Sequence, residues 1–354
     1  MSAGTPVGSG PGEASPRRNR AFLRAALPRG VFLLVTLITL YVLWPSLLAV
    51  FSAFPQLLTI RPWWFGVLVA LEGASFASVW SLQRLALRTS GWFGIATAQL
   101  AGNAVSRVVP GGAAAGGALQ YRMLVQAGAD ATKVGAGLTA SSLISAATLF
   151  ALPILSVPAV LAGRPVPGGL AQAAWLGGGV FVLAFVLGGV LLTFDGALVW
   201  VGRLVQWILR SLRRRHAPTA DLPARLLVER NAIRSLLGRK WWLALLAALG
   251  NWLFDYLALL AALAAVGAFP RRSLVLLAYV ASMVLAMIPI TPGGLGFVEA
   301  GLTALLVVAG VDAGKSSIAV LGYRLVSYWL PIPAGGVAVV LHRRRYGDRH
   351  PVVA

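Results

Sequence analysis

Five ionisable side chains stand inside otherwise apolar stretches of this chain: Glu72, Arg107, Asp255, Glu299 and Arg324. Charge in such surroundings is costly and is usually kept for function. An arginine there offers a rigid planar fork suited to a phosphate, and Arg122 adds a further one. The carboxylates have three possible uses: to hold a cationic head group, to carry protons, or to neutralise the arginines. A purely structural reading stands beside these, in which Arg324 pairs with Glu299 or Asp255 and ties two helices together, because buried charges are nearly always paired. Glu299 closes the segment PGGLGFVE, Pro292 to Glu299, which interrupts an apolar run from Ser273 to Gly310. A proline and three glycines do not fit one continuous helix. The segment therefore reads as a broken or re-entrant helix whose turn lines a cavity inside the protein, since irregular backbone at membrane depth survives only away from lipid. The alternative is a short loop between two spanning helices.

A second copy of this pattern occurs 182 positions earlier. Pro110-Gly111-Gly112 falls on Pro292-Gly293-Gly294, and Gly128-Ala129-Asp130-Ala131-Thr132-Lys133 falls on Gly310-Val311-Asp312-Ala313-Gly314-Lys315. Eleven of the twenty-four positions from Pro110 to Lys133 match their partners without a gap. Paired hydrophobic segments broken by Gly and Pro are a sequence pointer to a transporter binding site. Each turn leads into a helical run, so free N–H groups beginning near Ala113 and Leu295 would point into the protein and favour an anion such as phosphate. The expected cavity is lined by Gly111, Gly112, Arg122, Gly293, Gly294, Glu299 and Arg324, with Glu72, Arg107 and Asp255 as possible charge partners. Asn103 and Asn251 read more readily as hydrogen-bonding glue between helices.

Composition sets the surroundings of these residues. The chain has 354 residues, of which 58% are hydrophobic and 11% charged, and its mean hydropathy is +0.81. That is more apolar surface than a water-soluble domain can hide, so the fold class is all-α, a polytopic helical membrane protein. With no Cys, disulfides, thiolate catalysis and cysteine metal sites are excluded. His216, His342 and His350 lie in basic segments, which argues against a buried histidine site; no metal and no cofactor are expected. No Walker loop, GxSxG, HExxH or paired-Asp glycosyltransferase motif occurs, so transport or lipid handling outweighs catalysis.

Residues 1–30, rich in Gly, Pro and Ser with five Arg, read as a disordered basic cytoplasmic tail. Residues 31–341 form one transmembrane domain, and residues 342–354 a second basic tail. Spans are expected at Val31–Phe51, Trp63–Leu87, Lys133–Leu161, Leu170–Phe194, Trp241–Val266 and Ile318–Leu341. Interrupted hairpins occupy Trp92–Ala127 and the run around Pro292. Residues 203–240 carry ten Lys/Arg against Asp221 and Glu229, the composition of amphipathic surface helices that bind anionic lipid. If each hairpin returns to the side it came from, twenty-two of the thirty Lys/Arg fall on one side and five on the other. The positive-inside rule then places both termini in the cytoplasm. Three spans separate Lys133 from the second hairpin. Because three is odd, the two repeats enter from opposite sides as an inverted-topology pair, with a substrate site where they meet.

TPGGLGFVEAGLTALLVVAGV at Thr291 to Val311 and YRLVSYWLPIPAGG at Tyr323 to Gly336 resemble the transmembrane region of lysylphosphatidylglycerol synthases, a flippase-like (UPF0104-type) membrane family. Asn103, Pro110 to Gly112 and Arg122 resemble the family's first block. The resemblance covers about residues 31 to 341. It implies translocation of an aminoacylated or anionic phospholipid, or of a polyprenyl-phosphate-linked lipid, across the inner membrane. It also implies no catalysis here, because the synthase activity of bifunctional members lies in a separate cytoplasmic domain and this chain ends at Ala354. Two departures touch the first half. Ala114 to Gly117 stand where the family often has an acidic residue, and Ser142 is the repeat partner of Arg324. The rival function is an accessory subunit, without transport of its own, for a membrane lipid-modifying or glycosyltransferase system.

Overall fold

The computed structural model describes residues 60–89, 91–109, 112–153, 194–212, 241–287 and 294–347, with single positions 55, 179 and 227. The span expected at Val31–Phe51, the body of that at Leu170–Phe194, the basic residues 213–240 and the turn residues Pro110, Gly111, Pro292 and Gly293 lie outside them. All regular structure among the described residues is helical: α1 (Trp63–Leu87), α2 (Trp92–Val108), α3 (Gly112–Gln126), α4 (Ala131–Ala151), α5 (Asp195–Leu212), α6 (Trp241–Ala265), α7 (Arg272–Ala286), α8 (Phe297–Val308), α9 (Ala313–Arg324), a π turn (Leu325–Trp329) and α10 (Pro331–Tyr346). Among the described residues, four stretches are long and apolar enough to cross a membrane: α1, α4, α6 and the run from Ala313 to Tyr346.

Small residues and short polar bridges hold the helices together, as expected where apolar surroundings give no drive to bury apolar side chains. α1 lies along α6, and Ser75 Oγ donates to Asn251 at 3.0 Å. Beside that bond, a Cβ on Gly250 would come within 2.9 Å of Ser78 Oγ. α2 crosses α3 backbone against backbone, since a Cβ on Gly102 would lie 2.7 Å from the Gly116 carbonyl. α10 closes on the other flank of α2 through Gly335, whose added Cβ would meet the Leu100 carbonyl at 2.6 Å. The largest core cluster joins α1, α4 and α6 to α7, α8 and α9 through Leu68, Leu149, Leu259, Tyr279, Leu302 and Val320.

The two stretches that align in sequence also fold alike locally. Gly128 (φ 93°) and Gly310 (φ 92°) adopt the left-handed conformation that ends a helix, and residues 129 and 311 donate back to Leu124 and Leu306. Asp130 and Asp312 then cap the next helix by accepting from the Lys133 and Lys315 amides at 2.9 and 3.1 Å. The copies part at the restart after the broken segment. α3 begins at Gly112, whereas α8 begins at Phe297, two residues past the expected Leu295. Gly294 (φ 72°) and Gly296 (φ 77°) are left-handed, and a right-handed helix cannot propagate through them.

Basic residues gather at one end. Arg84 lies over the Trp92 ring at 4.0 Å, Arg345 over Phe93 at 4.7 Å, and Leu87 packs against Gly137 near the start of α4. The last helical run is longer than the expected Ile318–Leu341, reaching from Ala313 to Tyr346.

The α2–α3 crossing makes a paired prediction. Gly116→Val drives a side chain into the Gly102 carbonyl and is expected to cost about 1–3 kcal/mol or more, read as a lower midpoint of thermal aggregation in detergent. Gly117→Ala, whose added Cβ meets nothing within 4 Å, leaves that midpoint unchanged or higher.

Candidate functional site: a charged cavity between the helices

Most polar residues that reach the interior recur every three or four positions along their helices: Glu72 and Ser75 on α1, Gln99, Asn103 and Arg107 on α2, and Asn251 and Asp255 on α6, with Tyr323, Arg324 and Ser327 joining them around the π turn. That spacing stacks each set on one helix face. The faces converge on a cavity of about 270 Å³ whose charged lining is Glu72, Asp255, Arg107 and Arg324. Both sequence-repeat regions contribute, the first through α2 and α4 and the second through α9 and the π turn.

Two arginines are held in different ways. Arg324 Nε donates to Glu299 Oε1 at 2.7 Å, so the helix-to-helix tie read from the sequence exists, and its partner is Glu299. Glu299 sits in the first turn of α8, where a carboxylate is favoured by the helix dipole. Arg107, in the last turn of α2, sends Nη1 to the carbonyls of Ser327 and Tyr328 at 2.5 and 2.6 Å. Prolines follow at 331, four residues past Ser327, and at 333, five past Tyr328. Neither supplies an N–H, and the π turn shifts the bond ladder by one residue, so Leu330 donates to Leu325. Tyr328 completes the exchange by donating its hydroxyl to the Arg107 carbonyl at 2.8 Å. Its ring lies under both guanidinium groups, 5.1 Å from that of Arg107 and 4.3 Å from that of Arg324.

The acidic side is built around Asp255, which accepts the hydroxyls of Tyr279 at 2.5 Å and Tyr323 at 2.8 Å. Glu72, also lining the cavity, is 6% exposed, and its Oε1 has no hydrogen-bond partner. Asn103 Oδ1 is likewise buried and unpartnered. The cavity thus has spare acceptors on its acidic wall and guanidinium groups on the other, an arrangement able to receive a head group carrying phosphate.

The expected residues are distributed unevenly. Glu299 and Arg324 are bonded, and Arg324 lines the cavity together with Glu72, Arg107 and Asp255, the three taken only as charge partners. Arg122 is exposed on α3 and is not among the residues lining this cavity. On a helix that begins at Gly112, position 122 falls on the face turned away from α2. Gly112 packs against the Ser106 backbone and Gly294 against Val298, so both serve close packing. Gly111 and Gly293 lie outside the described residues. Asn251 does bridge helices, accepting from Ser75, yet it and Asn103 also line the cavity. His342, which the sequence places in a basic segment, is nevertheless 1% exposed, with Nδ1 2.7 Å from Thr97 Oγ1 and Nε2 3.0 Å from the Met123 carbonyl. It is buried because α10 continues past Leu341 along α2. Tyr279, Tyr323 and Tyr328 were missed as site residues; Tyr323 preceding Arg324 in a polar register was the available signal.

If Arg107 is what satisfies the proline-freed turn, its removal and the removal of the proline must couple. Arg107→Gln should destabilise by about 2 kcal/mol, the order expected for losing hydrogen bonds from a charged donor. In a Pro331→Ala background, which restores a donor four residues past Ser327, thermal melts should show at least about 1 kcal/mol of that cost removed. Additive losses would show that Arg107 does not serve those carbonyls.

The sequence matches the family model described as lysylphosphatidylglycerol synthase TM region over residues 30–335. It is 37% identical over 70 residues to a UPF0104 membrane protein of Pyrococcus horikoshii, covering 20% of this chain and 21% of that one. It is 31% identical over 97 residues to a UPF0104 membrane protein of Methanothermobacter thermautotrophicus, covering 27% of this chain and 28% of that one. The chain therefore spans between about a fifth and just over a quarter of the length of these curated relatives. Because the family model accounts for most of the chain, the protein is an integral membrane protein and belongs to the lysylphosphatidylglycerol synthase TM region family.

Proposed function

We propose that the protein translocates a lipid with a phosphate-bearing head group, an aminoacylated or anionic phospholipid or a polyprenyl-phosphate-linked lipid, between the leaflets of the cytoplasmic membrane. The observation that carries this reading is the cavity lined by Glu72, Asp255, Arg107 and Arg324, the two guanidiniums sharing the Tyr328 ring. A bare arginine pair at membrane depth would be prohibitively costly, whereas one offset by carboxylates and opened by an anionic guest is a workable site. The chain acts as a transporter and not as an enzyme.

Helix lengths support re-entrant segments. At 1.5 Å per residue α8, with 12 residues, is about 18 Å long and α7, with 15, about 22 Å, against a hydrocarbon core of about 30 Å. Six full spans with two such hairpins make an inverted repeat whose halves meet at the cavity. Basic residues at the end shared by Arg84, Lys133 and Arg345 support both termini being cytoplasmic. On α5, Trp200, Leu204 and Trp207 are exposed at spacings of four and three, one apolar face beside Arg203. This supports a surface helix leading into the basic residues 213–240, where anionic lipid is held.

Two measurements test the proposal. With fluorescent phosphatidylglycerol in reconstituted vesicles, Arg324→Lys keeps the charge but loses the planar fork. It should lower translocation at least about tenfold, equivalent to ~1.4 kcal/mol in the barrier. Wild-type rates in Arg324→Lys would reduce the arginine to a tie for Glu299 and sink the phosphate site. For topology, cysteines replacing Arg215, Pro165 or Pro270 one at a time in this Cys-free chain are probed with an impermeant reagent on intact cells. Labelling is expected at 165 and 270 but not at 215, and labelling at 215 would overturn the orientation.

A further inference from the structure

The acidic wall of the cavity carries a feature that a phosphate site does not need. Glu72 and Asp255 line the same cavity from α1 and α6, one helical turn along from the Ser75–Asn251 bond that joins these helices, and their carboxyls come within hydrogen-bonding reach. Two ionised carboxylates are acceptors only and have no proton to share, so such a contact requires one of the two to be protonated. The neighbours say which. Asp255 takes two phenolic hydroxyls, one at 2.5 Å, the short geometry of an O–H donor to a charged oxygen. Glu72 has no donor directed at it among the hydrogen bonds of the described residues, and its Oε1 is buried and unpartnered in the cavity. Charge counting agrees. The groups facing this pair are Arg107 from α2, Tyr279 from α7, Tyr323 and Arg324 from α9, and Glu299 through Arg324. Among the described residues Glu299 balances Arg324, which leaves Arg107 to balance both carboxyls of the pair, and a single proton brings the group to neutrality.

We propose that Glu72 and Asp255 hold one proton between them, carried on Glu72, and that the pair takes up a second when an anionic head group enters beside Arg107 and Arg324. This rests on the lipid-translocation reading for its second half only. A phosphodiester brings one negative charge, so the neutral cavity would again be one charge in excess. One further proton on the carboxyl pair cancels it, and that proton leaves when the head group does. Linkage then makes binding tighter as pH falls and couples the movement of head group to movement of protons.

The first half is tested by infrared difference spectroscopy of the full chain in nanodiscs at neutral pH. A carbonyl stretch of a buried protonated carboxyl is expected, shifted by isotopic labelling of glutamate in the unmutated protein and lost in Glu72→Gln, which keeps the shape and a donor toward Asp255. No band that follows glutamate labelling would overturn the shared proton. The second half is tested with short-chain, water-soluble phosphatidylglycerol as probe in weakly buffered detergent, with a pH-indicating dye. Wild type should take up about one proton per probe bound, and the double variant Glu72→Gln/Asp255→Asn should bind it with no uptake. Binding by wild type without uptake would overturn the coupling. Failure of wild type to bind the probe at all would instead remove the phosphate-lipid reading together with the coupling, while the infrared result still decides the shared proton.

Discussion

The hold of Arg107 on the π turn is the interaction on which the cavity depends. A chain that puts prolines at 331 and 333 in an apolar helix removes two backbone donors, and nothing in a hydrocarbon surrounding replaces them. A guanidinium from α2 does so at 2.5 and 2.6 Å, and in the same stroke a buried cation acquires partners without being neutralised. Tyr328 returns a bond to the Arg107 carbonyl, so that α2 and the last helical run are fastened in both directions. The guanidinium stays positive and faces the cavity because its partners are carbonyl dipoles and not a carboxylate. Arg324, bonded to Glu299, is the contrasting case, in which charge is balanced within the protein.

Around that fastening, the opposite wall is assembled from hydroxyls and carboxyls. Tyr279 and Tyr323 reach Asp255 from α7 and α9, so one carboxylate ties together three helices while still lining open space. Trp252 donates to the Ser145 carbonyl at 2.8 Å, bringing α4 against α6 on the same side. Elements from both repeat regions are thus needed to form a single cavity. A change at that lining therefore touches α1, α2, α6 and α9 at once.

Much of the helix plan was legible because apolar length and its punctuation are local properties. The bounds of α1 were read as Trp63–Leu87, and Asp130 and Asp312 were marked by a shared pattern whose caps the fold repeats. The ion pair of Glu299 with Arg324 was foreseen as one of two alternatives, since few carboxylates were available to a buried arginine. What could not be read depended on rotation about a helix axis or on glycine conformation. Arg122 was placed by its distance along the chain from a turn, but ten residues of helix carry it to an exposed face. Leu295 was not yet helical because two left-handed glycines intervene, and a glycine's sign of φ is not written in its neighbours. His342 was judged by the charges beside it along the chain, although a helix sends adjacent side chains in different directions.

The π turn also acts as a phase shifter. One residue more than an α-helix would use turns everything beyond it by about 100° relative to a regular helix. Before the turn, the run presents Tyr323 and Arg324 to the cavity; after it, the same run presents Gly335 and His342 to α2. An unbroken helix has a single stripe and would have to choose between these neighbours. The extra residue lets one rod carry two stripes at different bearings, so that the face reading the guest and the face gripping the scaffold are set independently of each other.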